Sequence, residues 1–274
     1  MIHEVPRPPT TAPPAEVKSC CAAVYASDWA RLLLGDSFHP GGLMLTERLG
    51  TLLTLGSATR VLDVAGGPGA TAVHLARTFG CHVTALDYSG ANVAATRQAA
   101  VRAGVGGLVV AVEGDAERLP LESGSFDAVV CECAFCTFPD KATAAAEFRR
   151  VLRPGGRVGL SDLTRAGPLP PDLDGLLAWV ACIADARPTA EYVAYLQGAG
   201  LTVDRIELHD EVLGELVARV RTKLLGAQLL VSLKKLDLPA VDFGQAQALA
   251  RSAAAAVTAG TLGYALVTGT RRTP

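Results

Sequence analysis

The sequence has few features of a membrane, secreted or nucleic-acid-binding protein. No apolar run reaches the roughly 18 residues needed to cross a bilayer, and the opening MIHEVPRPPTTAPPAEV has no apolar centre of the kind found in signal peptides. The formal net charge is -2, and no basic cluster occurs apart from TRR near the end. These absences predict a cytoplasmic protein without membrane or nucleic-acid partners.

Cysteine is infrequent and unevenly spaced. An odd number of thiols in a reducing compartment is more typical of packing residues, nucleophiles or ligands for a soft atom than of disulfides. No C-x-x-C pair is followed by a second at zinc-finger spacing, although Cys133-x-x-Cys136 leaves a zinc site open. The seven cysteines are Cys20, Cys21, Cys81, Cys131, Cys133, Cys136 and Cys182.

Short apolar runs alternate with helical patterns through the middle of the chain. Strand, helix, strand in this order is typical of an open parallel α/β sheet, whose buried strands are almost continuously apolar. The last strand has no crossover after it, so we expect it to be antiparallel. The segments predicted to contain strands are 60–69, 81–89, 107–120, 126–135, 157–165, 201–211 and 262–272.

Composition and periodicity divide the chain into three parts. Residues 1–57 form an N-terminal arm and helical cap, the arm being rich in proline and threonine. Residues 58–211 and 260–274 form the predicted α/β core. Residues 212–259 interrupt that core as a helical insert before the last strand.

A glycine-rich turn connects the first predicted strand to the first helix of the core. Small residues between Asp63 and Gly69 let the backbone approach a ligand, and the helix N-terminus supplies free N–H groups. Asp87 follows about 20 residues later, where a carboxylate can accept hydrogen bonds from ribose hydroxyls. Asp115 and Ala116 end the third strand, where an adenine can be held. The three acids in register predict a nucleoside cofactor.

A dinucleotide is the competing ligand for this turn. Its G-x-G-x-x-G fingerprint is not met, because residues 67–72 are GPGATA. Asp63 would also place a carboxylate beside a pyrophosphate. A cationic ligand suits Asp63 better.

Together these segments resemble the class I S-adenosylmethionine-dependent methyltransferases. The resemblance is carried by VLDVAGGPG, ALDYS, EGDAERLPLESGSFDAVV and EFRRVLRPGGRVGLSDL over residues 58–165, and LGYALVTG is similar to the family's final strand. It implies a Rossmann-like α/β fold with a seven-stranded, mostly parallel sheet, flanking helices and S-adenosyl-L-methionine as cofactor.

The same resemblance implies how the cofactor is held. It puts Asp63 and the backbone of Gly67 and Gly69 near the methionine part, Asp87 on the ribose and Asp115 beside the adenine. Where the family more often has glycine, this chain has alanine at position 65. The cofactor-binding residues predicted in this way are Asp63, Ala65, Gly66, Gly67, Gly69, Asp87, Tyr88, Asp115, Ala116 and Cys131.

Two cysteines lie in segments that resemble the arsenite methyltransferases. In VVCECAFCTFPDK, a cysteine, a short apolar stretch and Pro-Asp-Lys follow in the family's order, and the matching position is Cys133. VACIADARPTAEYVAYLQGAGL is similar to the segment around the family's next thiol, which corresponds to Cys182. The resemblance implies a third sulfur from Cys20 or Cys21. Cys131, inside the strand, is expected to be a packing residue.

Trivalent arsenic is soft and takes three thiolate sulfurs in a pyramid with a lone pair on its open side. That lone pair can attack a methyl group without a general base, so the lack of an evident His–carboxylate pair in the sequence is no obstacle. The catalytic residues predicted for this reaction are Cys133, Cys182 and one of Cys20 and Cys21, with arsenic as substrate.

This chain departs from the arsenite methyltransferases in two places. The family usually has a cysteine shortly before the glycine turn, where this chain has GDSFHPGG with His39, and residues 212–259 do not resemble its C-terminal domain. Two other functions therefore remain open. One is methylation of a small organic molecule, with the thiols as packing residues, and the other is a non-catalytic metalloid- or zinc-binding protein.

Overall fold

A computed structural model describes residues 18–19, 35, 39–169, 173, 182–183, 185–233 and 242–273. The predictions for Cys20 and Cys21 lie outside the described residues, as does most of the predicted N-terminal arm. No helix in these described segments is long and apolar enough to span a membrane.

The described residues form one seven-stranded sheet with the strand order β3-β2-β1-β4-β5-β7-β6. Strands β1 to β5 pair in parallel, and β7 is antiparallel to both β5 and β6. The predicted fold class, including the antiparallel last strand, is confirmed. The strands are β1 (Arg60–Val64), β2 (His82–Asp87), β3 (Val109–Glu113), β4 (Phe126–Glu132), β5 (Leu152–Arg165), β6 (Leu201–Leu208) and β7 (Leu262–Arg271).

Helices connect and flank these strands. Side chains cap three of them: Ser89, Asp140 and Asp242 each accept a hydrogen bond from a backbone N–H in the first turn. The last two helices occupy the segment predicted as an insert, the first of them beginning two residues earlier, at Asp210, and they pack against each other. The helices are α1 (Gly42–Leu52), α2 (Ala70–Phe79), α3 (Gly90–Arg102), α4 (Lys141–Val151), α5 (Thr189–Gly198), α6 (Asp210–Ser232) and α7 (Phe243–Thr258).

Strand β4 ends earlier than the sequence pattern predicts. Its apolar run continues to Phe135, but the strand ends at Glu132, because Cys133 adopts a left-handed backbone with φ 51°. A short 3₁₀-helix, Phe135–Thr137, then turns the chain toward α4. The end of β4 therefore brings Glu132 and Cys133 to the carboxyl edge of the sheet.

Candidate functional site

A cavity opens at the carboxyl ends of β1, β2, β3 and β4, which is where open α/β sheets bind ligands. It contains about 1050 Å³ of space free of protein atoms, part of it open to solvent. Its wall includes eight of the predicted cofactor-binding residues: Asp63, Ala65, Gly66, Gly67, Asp87, Tyr88, Asp115 and Ala116.

Two of the predicted cofactor-binding residues do not line this cavity. Cys131 is fully buried inside β4, with packed groups on both faces of the strand. Gly69 lies between Pro68 and Ala70, which both line the cavity, and its φ of 91° turns the chain into α2.

The glycine turn holds its shape through close contacts that larger side chains would break. A Cβ on Gly66 would lie 2.6 Å from Oδ2 of Asp63, and Gly67 has a φ of 55°. Ala65 has a φ of 56°, which an L-residue with a Cβ adopts only at a cost. The conformation thus calls for glycine at position 65 as well, although the chain has alanine there.

Asp63 is buried beneath the turn and incompletely satisfied. It is 1% exposed, and its Oδ2 has no hydrogen-bond partner. Burial raises its pKa well above the usual range, and the nearby carboxylates of Glu132 and Asp87 raise it further. An unpaired buried carboxylate at a cavity wall suits a cationic ligand, such as the ammonium and sulfonium groups of S-adenosylmethionine.

Asp87 is fixed at the end of β2 by three donors. Its Oδ2 accepts from the backbone N–H of Gly67 at 2.9 Å, while its Oδ1 accepts from Ser89 N at 2.8 Å and Asn92 Nδ2 at 3.1 Å. Burial raises the pKa of Asp87, and these hydrogen bonds oppose that rise. The carboxylate therefore joins the glycine turn to the N-terminus of α3.

At the other end of the cavity, Asp115 pairs with a lysine that the sequence analysis did not identify. Lys18 Nζ lies 3.0 and 2.8 Å from the two carboxylate oxygens of Asp115 and 2.5 Å from Glu117 Oε2. Burial lowers the pKa of Lys18, but its hydrogen bonds to both acids outweigh that effect and raise it. No local pattern indicates a contact between residues 97 positions apart.

The structure brings two of the predicted arsenic ligands together. Cys182 Sγ donates a hydrogen bond to the carbonyl oxygen of Cys133 at 3.3 Å, and the two thiols also interact with each other. Cys133 lines the cavity, whereas Cys182 is 2% exposed and lies behind it. The contact with the Cys182 thiol, followed by burial, raises the pKa of the Cys133 thiol well above its usual range, so this thiol is protonated at neutral pH.

A third thiol, which the sequence analysis considered only as a zinc ligand, is part of the same cluster. Cys136 lies on the 3₁₀-helix, is fully buried, and its thiol contacts that of Cys182. Its backbone N–H donates to Asp162 Oδ2 at 2.9 Å. Burial, followed by the field of Cys182, raises the pKa of Asp162 to about 7.

A buried network of hydroxyl groups surrounds the carboxyl group of Glu132, the residue before Cys133. Glu132 Oε2 accepts from Thr46 at 2.9 Å and Thr71 at 2.8 Å, and Oε1 accepts from Ser161 at 3.3 Å. Tyr264 on β7 donates its hydroxyl proton to Ser161 at 2.9 Å. The network thus runs from β7 through β5 to the cavity wall.

His39 also faces Glu132, with its Nε2 3.5 Å from Oε2, and both side chains line the cavity. The sequence showed no evident sign of this His–carboxylate pair. His39, which precedes α1, meets Glu132 at the end of β4 only in the folded chain. Glu132, between two cysteines at the end of a predicted strand, could have been found from its position alone.

Comparison with known proteins agrees with this fold and site. Residues 62–160 match the model of the methyltransferase domain family. The chain is 33% identical over 135 residues to a glycine/sarcosine/dimethylglycine N-methyltransferase of Actinopolyspora halophila, covering 47% of this chain and 24% of that protein. It is 32% identical over 167 residues to the 27-O-demethylrifamycin SV methyltransferase of Amycolatopsis mediterranei, covering 60% and 61%. The chain thus spans less than two-thirds of either relative.

Solved structures show the same fold at low sequence identity. The Haemonchus contortus phosphoethanolamine N-methyltransferase 2, solved with S-adenosylhomocysteine, superimposes with a TM-score of 0.74 at 17% identity and covers 96% of this chain and 58% of that one. Geranyl diphosphate C-methyltransferase from Streptomyces coelicolor gives 0.75 at 15%, covering 96% and 100%. The [4+2]-cyclase SpnF gives 0.73 at 20%, covering 98% and 99%.

Residues 62–160 are thus similar to a methyltransferase domain, and the fold is the one expected from the resemblance to class I methyltransferases. The predicted enzyme class and cofactor agree with these similarities. The relatives named above act, by their names, on small organic molecules. None of them is an arsenite methyltransferase.

Proposed function

We propose that this protein transfers the methyl group of S-adenosylmethionine to a soft, thiol-bound acceptor, with trivalent arsenic as that acceptor. The observation that carries the proposal is the contact between Cys133 and Cys182 at the cavity wall. The two thiols come from distant parts of the chain, and Cys133 lines the same cavity as the unpaired carboxylate of Asp63.

In this proposal the predicted cofactor residues have separate tasks. Asp63 attracts the positive charge of the cofactor, Asp87 accepts from the ribose hydroxyls, and Asp115 lies beside the adenine. When bound, S-adenosylmethionine supplies an electrophilic methyl group. The eight cavity-lining residues predicted for this purpose include the backbone of the glycine turn, which can approach the ligand closely.

The thiols load the acceptor without changing the charge of the site. Each sulfur–arsenic bond forms as an arsenic–oxygen bond of arsenite breaks, and the thiol proton leaves with the hydroxide as water. Raised thiol pKa values suit this exchange, because the protein need not hold buried thiolates beforehand. The arsenic lone pair would form the new arsenic–carbon bond as the methyl–sulfonium bond breaks and leaves its electron pair on sulfur. Two molecules of glutathione, oxidised to their disulfide, would then reduce the pentavalent product to trivalent arsenic, with release of one cysteine thiol.

Orientation supplies the acceleration in this scheme. An acceptor held by two or three sulfurs cannot rotate freely, and fixing reactants in line can lower a barrier by about 7–11 kcal/mol. Cys133 has a left-handed backbone, which turns its side chain from the strand into the cavity wall.

The test is a methylation assay with arsenite, glutathione and labelled S-adenosylmethionine. We expect a methylated arsenical from the wild-type protein and a loss of at least about 100-fold in Cys133→Ser and Cys182→Ser. Cys81→Ser is the matched control, because Cys81 is a buried cysteine that does not line the cavity. Wild-type turnover in both site variants would reject a thiol-held acceptor.

A small organic acceptor is the second candidate, and the His39–Glu132 pair favours it. A histidine beside a buried carboxylate can accept a proton from an amine or hydroxyl during methyl transfer. If the acceptor is organic, His39→Ala and Glu132→Gln should lower kcat strongly, while Cys133→Ser and Cys182→Ser leave it unchanged. Sarcosine, dimethylglycine and hydroxylated aromatic compounds are the first acceptors to screen.

A further inference from the structure

The thiol cluster contains a third sulfur within the described part of the chain. Cys182 Sγ donates to the carbonyl oxygen of Cys133 at 3.3 Å, and its thiol also contacts those of Cys133 and Cys136. Cys136 follows Cys133 by three residues and is fully buried on the 3₁₀-helix. These residues come from the end of β4, the 3₁₀-helix after it, and a segment that follows β5. Resting on the function proposed above, we propose that Cys136, rather than Cys20 or Cys21, is the third sulfur donor to the acceptor.

The backbone around Cys136 is well fixed for this role. Its N–H donates to the buried carboxylate of Asp162, and the 3₁₀-helix begins directly after Cys133 and Ala134. Phe135 packs edge-on against Phe138 and Tyr192, so the helix is held from both sides. The remaining freedom of Cys136 is rotation about one side-chain torsion.

Binding of the acceptor between the three sulfurs requires such a rotation of a cysteine side chain. As the described residues stand, no three His, Cys, Asp or Glu side chains are arranged to hold a metal ion. A staggered step of χ1 moves a cysteine sulfur without moving its backbone. Cys133, which alone of the three lines the cavity, has room to turn and admit the acceptor between the sulfurs.

The net charge of the three thiolates together with the bound element determines which class of element this cluster accepts. Cys133 lies near the carboxyl groups of Asp162 and Glu132, and Cys136 and Cys182 lie near that of Asp162. Three thiolates around a trivalent centre are neutral, because three thiol protons leave as three waters form from the oxyacid. Three thiolates around Zn²⁺ would leave one uncompensated negative charge among buried carboxyl groups, which is costly. The cluster therefore fits a trivalent, thiophilic oxyacid, such as arsenite or antimonite.

Native mass spectrometry of the full chain with one equivalent of arsenite tests the assignment. An arsenic bound to three sulfurs adds As and removes three hydrogens, whereas one bound to two sulfurs keeps a hydroxyl and removes two. We expect the three-hydrogen adduct for the wild type and for Cys20→Ser/Cys21→Ser, and the two-hydrogen adduct for Cys136→Ser. Cys81→Ser is the matched control and should behave as the wild type.

Methylarsonous acid, which has two exchangeable hydroxyls, separates a lost ligand from a damaged fold. It needs only the Cys133–Cys182 pair, so Cys136→Ser should bind it with an affinity within about threefold of the wild type. Cys136→Ala is a second variant in case serine is not tolerated in the buried position.

The outcomes distinguish this inference from the function on which it rests. A three-hydrogen adduct in Cys136→Ser, or a two-hydrogen adduct in Cys20→Ser/Cys21→Ser, would overturn the role of Cys136 while leaving the thiol-bound acceptor intact. A two-hydrogen adduct in the wild type would also overturn it. No arsenite adduct with the wild type would instead refute the proposed function itself.

Discussion

Cys182 Sγ donates a hydrogen bond to the carbonyl oxygen of Cys133, 49 positions away in the sequence. Both residues have left-handed backbones, with φ 51° at Cys133 and 59° at Cys182. Such conformations cost about 1–3 kcal/mol each in residues with a Cβ, and they persist where the surrounding structure imposes them. Two strained cysteines in mutual contact at a cavity wall therefore support a functional role for the pair.

Ala65→Gly should stabilise the protein. Because Ala65 has a φ of 56°, glycine relieves the steric cost, and we expect the free energy of unfolding to rise by about 1 kcal/mol in chemical denaturation. Ala94→Gly is the matched control: Ala94 is exposed within α3, where glycine should lower stability by about 0.5–1 kcal/mol. Equal losses in the two variants would contradict this reading of the turn.

Asp63→Asn should weaken cofactor binding and raise the stability of the ligand-free protein. Because burial raises the pKa of Asp63, ionising this side chain in the ligand-free fold is costly, and asparagine, which does not ionise, should raise the unfolding free energy at neutral pH. Asparagine also cannot supply the carboxylate that a bound cation would stabilise, and it should weaken S-adenosylmethionine binding by about 10- to 100-fold in calorimetry.

Asp204→Asn, a substitution on β6 away from the cavity, is the control for the Asp63 prediction and should change neither quantity appreciably. Unchanged cofactor affinity in Asp63→Asn would show that the buried carboxylate does not face the ligand.

Asp162 predicts a pH dependence of stability. Its pKa is about 7 in the folded protein, above its ordinary value of 3.8, so the folded state holds its proton more tightly than the unfolded state. The wild type should therefore lose stability as pH rises from about 4 to about 7, and Asp162→Asn should flatten that part of the curve. Thermal unfolding at pH 4, 5.5 and 7 measures both slopes. The residual slope in the variant belongs to the other buried acids, Asp63 and Asp87, whose pKa values are also raised.

Lys18→Met should weaken retention of the cofactor. Lys18 pairs with Asp115 and Glu117 at the end of the cavity proposed for the adenine, and the loss of a partly exposed ion pair should speed S-adenosylmethionine dissociation about two- to fivefold. Stopped-flow measurements at low and high salt would show a smaller difference at high salt. Lys223→Met, on α6, is the control. Faster association with unchanged dissociation would mean that Lys18 obstructs the cavity instead.

The strands, their mostly parallel pairing and the glycine turn could be predicted because they depend on local patterns. Buried parallel strands are continuously apolar, and the acids at their carboxyl ends stand out against that background. The end of β4 could not be predicted in this way, because the apolar run continues through Phe135 and the left-handed turn at Cys133 has no glycine to mark it.

Contacts between distant segments were harder to predict than the elements that carry them. Cys133 and Cys182 were paired only through resemblance to a family, whereas Lys18 meets Asp115, and His39 meets Glu132, across long stretches of sequence that carry no local pattern for the contact. Cys136 was considered only as a zinc ligand, because a loop position after a strand gives no direction for its side chain. The buried environment that brings its thiol to Cys182 exists only in the folded chain.

The hydroxyl of Tyr264 connects β7 to the cavity wall through Ser161 on β5. Through Ser161 it steadies the Glu132 carboxyl group, so a change in the closing strand can alter the polarity felt by a ligand that it never touches. Tyr264→Phe would remove one oxygen from a fully buried position and leave the strand pairing in place. Strand β7 thereby influences the polarity of the cavity as well as taking part in the sheet.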